Sequence, residues 1–175
     1  MKFFFCFSFF LVCYIFKPQS VIIGDSQSFL LAKHSKQAQI FNQFSKSGIG
    51  VKELTDMLNN SNIYPDIKNV FVSIGVNDSY VDFGVSKLIF SLKHIFPNSY
   101  LFFIRGSYGW GKVQNIDNGS KRYVDFYNQF RKYRIYVLDQ DIGFGDPHSD
   151  KWQYKEIGNY IDYIIYLNWK RENNK

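Results

Sequence analysis

From residue 21 onward, short apolar runs alternate with stretches whose apolar residues recur at helical spacing. Residues 21–23 are a β-rich run closed by Gly24, and residues 26–34 read as a helix. Residues 40–44 form a second strand pattern. Within 51–58, Val51, Leu54 and Leu58 fall on one helical face. Residues 70–74 are the clearest strand, ending before Gly75. Val85, Leu88, Ile89, Leu92, Ile95 and Phe96 follow helical periodicity up to Pro97. Residues 100–104 predict a fourth strand and 135–138 a fifth. Tyr123, Val124, Tyr127 and Phe130 mark the helix between them. Trp152, Ile157, Ile161, Ile164 and Ile165 predict a long C-terminal helix. Five βα pairs in series predict an α/β fold. It is a single-domain, three-layer sandwich, with a five-stranded, mostly parallel sheet and helices on both faces. In such sheets ligands gather beyond the carboxyl ends of the strands.

The first twenty residues do not fit that alternation. Lys2 precedes fourteen uncharged, mostly apolar residues, 3–16, and Lys17-Pro18 ends the run. A basic start before an apolar stretch of this length has the form of a secretory signal peptide. It is short for a spanning helix, although a lysine at each end can snorkel to an interface. The expected division is a hydrophobic segment over 1–20, serving as signal peptide or anchor, and one domain over 21–175. The expected location is secreted or membrane-anchored, with a cytoplasmic protein as the alternative if the segment packs on the domain.

Composition narrows the class. The chain has 175 residues, 46% hydrophobic and 21% charged, which is ordinary for a globular domain and unlike disorder or a coiled coil. Both cysteines, Cys6 and Cys13, sit in the leading segment. The rest of the chain therefore has no disulfide framework, no cysteine-based metal site and no thiol nucleophile. The net charge is +6, of which Lys2 and Lys17 carry two, leaving +4. No long Lys/Arg run supports nucleic-acid binding. Three histidines without ligand spacing argue against a transition metal, and no cofactor is expected.

The chemistry is concentrated at the predicted strand ends. Gly24-Asp25-Ser26 follows the first strand and Ser47-Gly48-Ile49-Gly50 the second. Gly75-Val76-Asn77-Asp78 follows the third, and Asp146-Pro147-His148 comes after the fifth. In this order the blocks resemble those of the SGNH hydrolases, the GDSL esterase/lipase family. The resemblance runs through essentially all of residues 21–175. It implies a flavodoxin-like sheet and a serine esterase with Ser26 as nucleophile and His148 as base. It also implies an oxyanion hole made of the N–H groups of Ser26 and Gly48 and the side-chain amide of Asn77. A serine hydroxyl needs an adjacent base, and the developing oxyanion needs preorganised donors, so these residue types suit the task.

One block departs from the family pattern. The acid usually stands three residues before the histidine, where this chain has Gly145; Asp146 is two before. Asp146 is the expected orienting acid, with Asp141, Asp150 or a backbone carbonyl as alternatives. Asp78 is expected to be a turn former and Asp25 to hold its loop by local hydrogen bonds. His34 and His94 lie inside helical patterns and read as structural or surface residues. Gly50 is a turn residue, or the oxyanion donor if the register is shifted by two. Tyr108 and Trp110, in a glycine-rich loop after the fourth strand, are candidate substrate-binding residues. Their flat faces suit a sugar ring or an acyl chain, or else they cap the sheet edge.

The expected substrate is a small-molecule or glycan ester with a short acyl group, such as an O-acetyl. Membrane contact is expected only through residues 1–20. The alternative is a catalytically weak or inactive glycan-binding module on the same fold, for which the shortened Asp-Pro-His block is the main support.

Overall fold

The computed structural model describes residues 19–104, 116–138 and 152–174. Most of the leading segment, Tyr108, Trp110, Asp146 and His148 lie outside them, as do Asp141 and Asp150. The elements are β1 (Ser20–Gly24), α1 (Ser26–His34), β2 (Gln39–Ser45), α2 (Val51–Asn59) and β3 (Asn69–Ser73). They continue as α3 (Val85–Ile95), β4 (Tyr100–Ile104), α4 (Ile116–Lys132), β5 (Tyr136–Leu138) and α5 (Trp152–Asn173). The strands lie in the order β2-β1-β3-β4-β5, and every ladder is parallel. The expectation of a mostly parallel sheet thus sharpens to a wholly parallel one.

Alternation along the strands divides the core in two. Val21, Ile23, Val70, Val72, Leu101 and Phe103 face α2, α3 and α4 in the larger cluster. Ile22, Phe71, Phe102 and Ile104 face Leu31 of α1 and Tyr154, Ile157, Ile161 and Ile164 of α5. Phe71 and Phe102 stack at 4.9 Å between centroids across adjacent strands. β1 and β3 are buried along their whole length, which is why they read as unbroken apolar runs. β2 is an edge strand and mostly exposed until Phe44, so its pattern is weaker. β3 ends one residue earlier than the apolar run suggests. Ile74 stays buried but leaves the ladder as the chain turns at Gly75, with φ +115°.

The order 2-1-3-4-5 reverses direction between β1 and β3. That switch point opens a crevice beyond their carboxyl ends. The helices start at this end of the sheet and run back to the other. Ser26, Gly48 and Asn77 therefore sit on neighbouring loops at one end, while the last turns of the helices lie at the opposite end.

Candidate active site

The first loop is set by Gly24 and Asp25. Gly24 has φ +128°, and a Cβ there would lie 1.8 Å from the Ser73 carbonyl oxygen, so only glycine fits between β1 and β3. The Asp25 N–H donates to the same carbonyl at 2.9 Å. Asp25 is the N-cap of α1, its Oδ1 accepting the Gln27 N–H at 2.9 Å. The local hydrogen bonds expected of it are present. Ser26 is consequently the first residue of α1 rather than its cap. It lies where free N–H groups and the helix dipole favour negative charge. Ser26 is 9% exposed.

Asp25 is fully buried. Among the described residues its Oδ2 has no hydrogen-bond partner, and neither does Ser73 Oγ. Burial pushes the Asp25 carboxyl up to about 7; the Gln27 N–H pulls it down, and the charge of Asp78 adds to the rise. A buried, half-satisfied carboxyl thus lies beside the candidate nucleophile.

The second and third loops are tied to the first and to each other. The Lys46 N–H donates to the Gly24 carbonyl at 3.0 Å, fixing the start of the second loop. Gly48 is exposed with φ +81°, and nothing lies within 4 Å of where a Cβ would stand. Its backbone therefore borders open space. Gly50 is the N-cap of α2; its N–H donates to the Glu53 carboxylate at 3.1 Å. That bond occupies Gly50's donor and favours Gly48 as the backbone N–H available to a ligand.

Asn77 is exposed and held in place: its Nδ2 donates to the Ile49 carbonyl at 2.8 Å, and among the described residues the second amide hydrogen is left for another acceptor. Asp78 lies in the turn over residues 76–80, as expected, its carbonyl accepting the Val81 N–H at 3.2 Å, and its side chain makes a further contact. Its Oδ2 accepts the Val51 N–H at 2.9 Å, so it caps α2 from a loop distant in sequence. Burial raises the Asp78 carboxyl; the Val51 N–H offsets this and the charge of Glu53 adds to it. Together Asn77 and Asp78 clamp the third loop onto the second. Ser79 and Tyr80 then adopt left-handed φ of 53° and 55°, and the Tyr80 N–H returns to the Gly75 carbonyl at 2.9 Å. A strained turn whose ends are fixed keeps Asn77 outward.

His34 and His94 lie in the last turns of α1 and α3, at the end of the sheet away from this crevice. Neither can reach it as a base. Among the described residues no group of three or more His, Cys, Asp or Glu side chains could hold a metal ion. Beside Asp78, a groove of about 890 Å³ separates α2 from α3; Lys52, Asp56, Asn59, Phe83, Lys87 and Phe90 line it. This groove left no trace in the sequence pattern, because its walls belong to two helices packed on the same sheet face.

No protein-family model matches the sequence, and no curated protein matches it significantly. Solved structures do. A lipase/acylhydrolase from Enterococcus faecalis has a TM-score of 0.57 at 14% identity, over 83% of this chain and 93% of its own. A member of the lipolytic G-D-S-L family from Veillonella parvula has a TM-score of 0.54 at 10% identity, over 84% and 97%. The C-terminal catalytic domain of a Streptococcus pneumoniae peptidoglycan O-acetyltransferase has a TM-score of 0.50 at 14% identity, over 89% and 94%. At such identities the likeness is one of architecture. With its wholly parallel 2-1-3-4-5 sheet and its polar blocks gathered at the switch point, the chain has the fold of the SGNH hydrolases.

Proposed function

We propose that the protein is a serine esterase that removes a short acyl group, such as an O-acetyl, from a glycan. The observation that carries this reading is the position of Ser26. It opens α1 at the β1/β3 switch point, between the Gly48 loop and the clamped Asn77. In this reading the Ser26 hydroxyl attacks the ester carbonyl while His148 takes its proton. The oxyanion is held by the Ser26 and Gly48 N–H groups and the Asn77 amide. His148 returns the proton to the departing alcohol. Water, activated by the same imidazole, then attacks the acyl-enzyme and releases the acid. Asp146 orients His148.

The fold neighbours described as a lipase/acylhydrolase and a peptidoglycan O-acetyltransferase support acyl-group chemistry. The groove beside Asp78, with charged, amide and phenyl groups together, suits the polymer that bears the ester. Tyr108 and Trp110 are the proposed aromatic substrate contacts.

A fluorophosphonate probe should label the wild-type protein and fail to label Ser26→Ala. Turnover should fall as the acyl chain of the test ester lengthens. Labelling that survives the substitution would overturn the assignment of the nucleophile. Sugar binding that persists without His148 in a protein that hydrolyses nothing would favour the glycan-binding module.

A further inference from the structure

The end of the sheet opposite the crevice carries a surface of different character. α5 runs 22 residues, about 33 Å, from the crevice end to the amino ends of the strands. Its arrival there is fixed by Asn168, whose Nδ2 donates to Asn69 Oδ1 at 2.7 Å. The amide of Asn69 reaches Ser20 Oγ at 3.0 Å. The helix then continues from Trp169 to Asn173, about 7 Å further. Around this overhang Trp169 is 60% exposed, Tyr166 47% and Leu167 42%, and the two rings stack on each other. Lys170 and Arg171 lie in the same last turn, with Lys68 nearby across a cavity of about 340 Å³ and Glu172 as the acid among them. Gln19 and Ser20 line that cavity with Trp169. The chain therefore enters the domain beside Trp169, and the sequence that leads into it is the uncharged run 3–16 between Lys2 and Lys17.

We infer that this end of the domain rests on a lipid bilayer containing anionic lipids. Tryptophan, tyrosine and leucine beside lysine and arginine are the side chains favoured at a membrane–water interface. The leading apolar run would enter the hydrocarbon from the same point. A contact between two copies would use the exposed rings but gives no reason for Trp169 to lie beside the entry of that run. The bilayer accounts for both. The strands hold the crevice about 17 Å or more above this surface and facing away from it. If the esterase reading holds, the ester comes from the aqueous side rather than from the bilayer.

The test uses the full chain incorporated into phosphatidylglycerol/phosphatidylcholine vesicles whose acyl chains carry bromine, a quencher of tryptophan fluorescence. The chain has three tryptophans, 110, 152 and 169, and Trp152 opens α5 at the crevice end. Quenching should be retained in Trp152→Phe and mostly lost in Trp169→Phe, with both variants melting like wild type. Quenching that persists in Trp169→Phe overturns the proposal, as does a full chain that leaves the vesicles unbound. Loss of quenching in Trp152→Phe instead would turn the crevice toward the bilayer. A full chain whose fluorescence is not quenched, and whose oligomeric state changes in Tyr166→Ala, would make the face a contact between copies. None of these readouts depends on Ser26, so fluorophosphonate labelling stands or falls separately.

Discussion

Asp25 and Asp162 bind opposite ends of the same helix, α1. Asp162, from α5, accepts the Ser35 hydroxyl at 2.6 Å and the Lys36 and Gln37 N–H groups at 2.9–3.1 Å. Both of its oxygens are engaged. Asp25 uses Oδ1 on the Gln27 N–H, and its buried Oδ2 has no partner among the described residues. A carboxylate that exists to fasten a turn is satisfied, as Asp162 is. One left half-satisfied in the interior is pushed by burial above the usual carboxylate range, and Asp25 is such a group beside the candidate nucleophile. The two ends of α1 thus separate structural polarity from polarity arranged around a crevice.

The largest effect that would test this separation belongs to Asn77. If the crevice end is built for an oxyanion, Asn77→Ala should lower kcat by about 10²–10³-fold. Among the described residues the exposed side chain makes one hydrogen bond, to the Ile49 carbonyl, so the melting temperature should change little. Steady-state kinetics on a short-chain ester beside a thermal melt distinguishes the outcomes. A collapse in stability with unchanged kcat in the surviving fraction would make Asn77 a loop fastener like Asp162.

The next effect is a pH dependence. The Asp25 carboxyl is raised from 3.8 to about 7 in the folded protein. The folded state therefore keeps a proton that the unfolded chain gives up. This contribution to stability is complete below about pH 4 and is lost as pH rises through about 7. Asp25→Asn keeps an oxygen for the Gln27 N–H and removes the titration. The stability of wild type relative to Asp25→Asn should fall by a few kcal/mol between those limits, since each pKa unit is about 1.4 kcal/mol. Denaturant melts at several pH values give the curve. A flat difference would mean that Asp25 titrates in the fold as it does unfolded.

Much of this end was legible because its signals are local. Gly-Asp-Ser, Gly48 and Gly-Val-Asn-Asp each follow an apolar run, and the periodicity placed α1 and β4 at their observed limits. The turn at Asp78 was legible, but its side-chain contact was not, because the partner, the Val51 N–H, is 27 residues away and leaves no local pattern. The boundary of β3 was one residue off because Ile74 is buried by side-chain packing while its backbone has already left the ladder. The groove between α2 and α3 was invisible for the same reason as the Asp78 contact. Both arise from tertiary packing, which apolar spacing along one helix does not encode.

The smallest of the three effects belongs to Asp162 and completes the contrast. Asp162→Ala leaves the Ser35 hydroxyl and the Lys36 and Gln37 N–H groups without their acceptor. Hydrogen bonds to a charged group contribute about 1.5–3 kcal/mol when buried. Lys36 and Gln37 are exposed, however, so water replaces much of what is lost. Ser35 Oγ also keeps the Ala38 N–H as a donor at 2.9 Å, which preserves part of the turn. The expected cost is therefore about 1 kcal/mol, a fall in melting temperature of about 2–4 °C for a domain of this size. Because the turn lies at the far end of α1, kcat should remain at the wild-type value. A large loss of activity from Asp162→Ala would show that the two ends of α1 are coupled, and the separation drawn from their hydrogen bonding would fail.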